Sequence, residues 1–184
     1  MKPEIGDDHP LRAFFIEALN DSLNHRLGLN EGEDVTEYLV GMLVRFLHND
    51  GIFAVRNAMG RRVESVTEMV AEGDVRVNAD SFEREREVHK HIGDFLLFWS
   101  GVFPEFLQYI KAPTSRDVIL NVVEQGRFSY HVASTFEYPP FQQEAETFKK
   151  LSAHFVEYQY GLRLVRASFE GFAGASDWAD GFRA

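Results

Sequence analysis

The stretch DSFEREREVHKHIGDFLLFWSGVFPE, residues 80–105, decides the fold. At about 100° per residue, Val88, Ile92, Phe95, Phe98, Trp99 and Val102 fall on one stripe. The spacing predicts a long helix from near Asp80 to about Phe103, with Pro104 opening a shorter one. Arg84, Glu87, His91 and Asp94 run along one flank of that stripe. They are three or four positions apart, so successive members are neighbours on the helix surface. His91 lies about 40° from Phe95 and so within the inward face. Beyond Asp94 the helix is apolar nearly all round, which places Asp94 at the mouth of a buried region. A carboxylate there must be paired or hydrogen-bonded, because an unpaired buried charge is costly. The nearest candidate partner is His91. Gly93 either lets a second backbone approach or marks a kink that Asp94 recaps. Glu83, Glu85 and Arg86 alternate in charge and read as a solvated face.

Outward from this helix the periodicity stays helical. Leu11, Phe14, Phe15, Ala18, Leu19 and Ser22 keep the i, i+3, i+4 spacing, with Asp8 as cap and Gly28 as stop. A helix from Asp34 buries Val35, Tyr38, Leu39, Met42, Leu43, Phe46 and Leu47, and Asn49-Asp50-Gly51 ends it. Ile52 to Met59 fits neither period. Ser65 with Glu68 caps a brief helix. A short helix from Pro104 reaches Lys111, and Thr114 with Asp117 opens another that reaches about Glu137. Tyr138-Pro139-Pro140 is a stop, since neither proline continues a helix. One last helix runs from about Phe141 to Phe169. The expectation is an all-α, compact single-domain bundle of about five to seven helices over residues 1–170, with an aromatic-rich core. A Gly-rich tail, 171–184, is loose or docked on it.

Composition narrows the function classes. The chain has 184 residues, no cysteine, and 29 acids against 19 Lys and Arg, a formal charge of -10. No disulfide framework, thiolate metal site or cysteine nucleophile can exist. A chain of this charge is repelled by phosphate backbones, so nucleic acid is not an expected partner. The most apolar stretch is interrupted by Asp94, Pro104 and Glu105, so no membrane span is expected. The N-terminal segment has no apolar signal-peptide core, which makes the cytoplasm the expected location. Aromatic residues are concentrated after residue 80.

Catalytic signatures are sparse. There is no nucleophile elbow, phosphate loop, dinucleotide fingerprint or His-Glu-x-x-His motif. The chain also lacks the Glu-x-x-His pairs of a helical di-iron site, but it has His91-x-x-Asp94 and His154-x-x-Glu157. His91 and Asp94 with His131 or His154 could hold a divalent metal; no other cofactor is expected. His131 lies on a polar flank, and His48 opposite its helix's apolar face. Two readings follow. In the first, a helical module binds a protein partner, a second copy of itself or an apolar small molecule through its aromatic half. Its candidate contacts are Arg84, Phe95, Phe98, Trp99, Tyr130 and Tyr158, with Phe106, Phe128 and Phe155 as further cavity walls. In the second, His91, Asp94 and Glu87 form an acid/base or metal-dependent active site. Under either reading the polar row has a purely structural alternative, a satisfied pair that fixes helix register.

Overall fold

The polar-flanked helix forms as its spacing predicts. In the computed structural model, which describes residues 10–30, 32–107 and 122–170, Ser81 accepts the amide of Arg84 at 3.1 Å and starts a helix over Phe82–Gly101. Numbered in chain order, the helices are α1 (Pro10–Asn20), α2 (Glu33–Arg45), α3 (Asn49–Ile52) and α4 (Val66–Gly73). They continue with α5 (Phe82–Gly101), α6 (Val122–Ser134), α7 (Gln142–Ala153) and α8 (Phe155–Glu170). A π-type turn, Asp21–Arg26, widens the end of α1, and a 3-10 turn, Pro104–Phe106, follows α5. Among the described residues there is no strand, and the chain is all-α. The expected cap at Asp8, the rest of the Pro104 helix, the Thr114 capping box and the C-terminal tail lie outside the described residues.

Helix α5 is the central element. It packs against α4, α6 and α8, while α6 packs on α7 and α1 packs on α2 and α8. Every residue from Ile92 to Phe103 is buried. Leu39, Ile92, Phe98, Phe148, Phe155 and Leu162 are fully buried members of one continuous apolar cluster. Each such side chain contributes about 1.5–3 kcal/mol relative to exposure.

Two local expectations are corrected. The last helix is two, divided at His154 (φ -110°, ψ 32°). The break is held by Arg127 of α6, whose Nε donates to the Ser152 carbonyl at 3.0 Å and Nη2 to that of Ala153 at 3.4 Å. These are carbonyls that the end of a helix leaves open. Arg86 does not lie on a solvated face. It is 1% exposed, its guanidinium sits 4.1 Å from the Phe141 ring centre, and it pairs with Glu87 and Glu144. The cause is long-range: the start of α7 covers the side of α5 that local periodicity assigns to water. The segment Ile52 to Met59, which fits neither period, leads into a tight turn. An isolated antiparallel bridge joins Arg56 and Arg62, and the Asn57 side chain accepts the amides of Met59 and Arg61, each at 3.0 Å. Gly60 supplies the positive φ of 73° that the turn requires.

Close approach of α6 and α8 depends on Gly126. A methyl group there would lie 2.4 Å from the ring of Phe155, which is fully buried and has nowhere to go. Gly126→Ala should therefore lower stability by about 1–3 kcal/mol, despite alanine's better helix propensity. Urea denaturation checks this, and an unchanged or raised midpoint would contradict the packing described.

Candidate functional site

Asp94 is 2% exposed and is satisfied from two neighbouring helices. Its Oδ1 accepts the hydroxyl of Tyr38 (α2) at 2.6 Å and that of Tyr130 (α6) at 2.9 Å. Its Oδ2 accepts Nη2 of Arg45 (α2) at 3.0 Å. Burial, followed by the neighbouring Asp94 charge, pushes both phenols well above the ordinary tyrosine range, so they remain donors. The Arg45 guanidinium carbon lies 5.9 Å and Lys90 Nζ 5.6 Å from the Tyr38 ring centre, within cation–π reach. Phe148 of α7 fills the space beside both rings, edge-on to Tyr38 at 5.2 Å and stacked with Tyr130 at 6.0 Å.

Gly93 makes this node possible. A Cβ there would meet the Tyr130 ring at 2.7 Å. The bare backbone therefore lets that ring lie against α5 and deliver its hydroxyl to the next residue. The group approaching Gly93 is a side chain rather than a second backbone, and α5 continues unbroken past it.

A cavity of about 570 Å³ opens beside the node, walled by the end of α2, the segment from His48 to Val55 and the outer side of α5. Arg84, Glu87, His91 and Asp94 all line it, together with Arg45, Asp50 and Lys90. The polar row also fastens this wall to α5. Arg84 Nη2 donates to the Arg56 carbonyl at 2.6 Å, and His91 Nε2 to the Ile52 carbonyl at 2.8 Å. A carbonyl can only accept, so His91 carries its proton on Nε2. Burial lowers the His91 pKa, with Lys90 and Arg45 adding to the effect and Asp94 opposing it. His48 is also on the wall, and its Nε2 is shut from water without a hydrogen-bond partner.

The other sequence candidates lie elsewhere. Phe95, Phe98, Trp99, Tyr130 and Tyr158 are closed into the core, at 5% exposure or less, and none lines the cavity. Phe155 is fully buried as well, whereas Phe128 is 54% exposed. The pairing expected within the row does not form. His91 does not bond Asp94, and Arg84 does not bond Glu87, which pairs instead with Arg86. His131 is exposed on α6, and His154 sits at the α7–α8 break, 3.7 Å from Glu157. Among the described residues no three His, Asp or Glu side chains gather as a metal ion requires. Tyr38 and Arg45 were missed as site residues. They stand seven positions apart, so their directions on α2 agree to within about 20°, and that was the available signal. Comparison with family models, with curated proteins and with solved structures gave no match.

Burial also lowers the pKa of His89, which is 5% exposed and 3.3 Å from the Ser129 hydroxyl. In the unfolded chain both histidines return toward 6.5. Below that pH the unfolded state binds more protons than the folded one, so stability is fully present above 6.5 and lost as the pH falls toward the folded values. The carboxylates lowered by their partners, such as Asp34 and Asp74, titrate from 3.8 downward and act in a separate, more acid range. Melting temperature should be flat between about pH 7 and 9 and fall as the pH is lowered from about 6.5, with a smaller fall in His91→Gln. A profile still flat below that pH would contradict the burial of these rings.

Proposed function

We propose that this chain is a helical module that binds a small molecule in the cavity beside Asp94. Arg45 carries the reading. Its side chain is 45% exposed, while the carboxylate that holds it is 2% exposed. One end of the guanidinium is thus fixed by a group sealed from water, and its remaining N–H donors are held ready on a concave wall. A donor fixed before binding loses little freedom on binding, and this raises affinity. The volume, about 570 Å³, falls in the range that small-molecule sites occupy.

The same geometry favours binding over acid/base chemistry at Asp94. Its two oxygens are engaged by two phenols and a guanidinium. Three of the carboxylate's four lone-pair sites are thus taken, and the fourth, on Oδ2, belongs to a group that is only 2% exposed. The filled core likewise favours this cavity over a ligand position among Phe95, Phe98 and Trp99.

The test is amide-resolved NMR of the 15N-labelled chain against a fragment set of mixed charge. At least one fragment is expected to bind with a Kd of about 1 mM or tighter and to shift the amides of Gly51, Ala54, Val55 and Val88. Absence of any binder, or shifts confined to other faces, would overturn the proposal.

A further inference from the structure

We infer that the occupant of this cavity is a small oxyanion, a molecule that presents a carboxylate or a phosphate; the inference rests on the binding reading above. The wall carries three carboxylates, and each is already held by an arginine. Asp50 is held by Arg62 at 2.8 Å, Glu87 by Arg86, and Asp94 by Arg45 at 3.0 Å. The wall's other two cations are not so taken. Among the described residues neither Arg84 nor Lys90 has an ion pair. Arg84 spends one Nη2 donor on the Arg56 carbonyl, and Lys90 rests near the Tyr38 ring. Glu144 is the second partner of Arg86. With it and the partner arginines counted, the neighbourhood still keeps one positive charge in excess, in a chain whose net charge is -10.

A concave wall of low polarizability concentrates such a field toward its opening. A cationic ligand would be repelled there, and a neutral one would remove water from Arg84 and Lys90 without balancing their charge. An oxyanion meets both requirements. The free N–H groups of Arg45 and Arg84 can each face two oxygens, and Lys90 adds a point charge.

The experiment titrates the intact chain at low salt with four probes: inorganic phosphate, malonate, propane-1,3-diol and 1,3-diaminopropane. It follows the amides of Gly51, Ala54, Val55 and Val88. Phosphate or malonate should bind there and the diol and diamine should not; the tighter of the two identifies the oxyanion as phosphate-like or carboxylate-like. Lys90→Gln removes a side chain that makes no hydrogen bond among the described residues, so the fold should persist. It should weaken oxyanion binding about fivefold at low salt, and Lys90→Arg should restore it. The inference is overturned if neither oxyanion shifts these amides, if the diol or diamine binds there as tightly, or if Lys90→Gln leaves oxyanion affinity unchanged. The mixed fragment set separates the two failures. If neutral fragments still map to the cavity, the binding reading stands and the oxyanion assignment falls; if no fragment does, both fall.

Discussion

A single buried carboxylate ties the central helix to two of its neighbours. Asp94 on α5 takes hydrogen bonds from Tyr38 and Arg45 on α2 and from Tyr130 on α6. A charge so deeply placed is tolerated only when its lone pairs are met, and removing any donor leaves that charge less compensated. Two conditions make this arrangement possible. Gly93 leaves room for the Tyr130 ring, and Phe148 of α7 packs beside both tyrosines. The polar node is therefore built into the apolar core and fixes how α2, α5, α6 and α7 meet.

The node also shapes the surface next to it. The flank of α5 that carries Asp94 carries Arg84 and His91 as well. These side chains hold the carbonyls of Arg56 and Ile52, so the whole segment from α2 to the following turn is fastened to one side of one helix. The cavity is the space left between those fastenings. Its cations are therefore positioned by backbone and core contacts rather than by one another. The burial that makes Asp94 demand a partner is what presents Arg45 to the solvent side.

The fold was largely legible because helical periodicity is a local signal. The stripe from Val88 to Val102, the Ser65 cap and the proline stop before α7 could all be read without knowing what packs where. The row Arg84, Glu87, His91 and Asp94 was legible for the same reason, as was the need of Asp94 for a partner. Who that partner is could not be read along one helix. Tyr38 and Arg45 stand 56 and 49 residues away in sequence, and Tyr130 stands 36 away. Arg86 looks solvated on a helical wheel, but α7 covers that face of α5. The aromatic surplus was ambiguous in principle. Rings that line a cavity and rings that fill a core have the same spacing, and only their mutual fit, as at Phe148, distinguishes them.

Two phenols from different helices depend on one Asp94 oxygen. A double-mutant cycle with Tyr38→Phe, Tyr130→Phe and the pair, followed by urea denaturation, measures that dependence. A coupling of about 0.5–2 kcal/mol is expected, because each phenol is the other's nearest competitor and support at Oδ1. Stability losses that add to within about 0.3 kcal/mol would place the two hydroxyls at independent sites and contradict it.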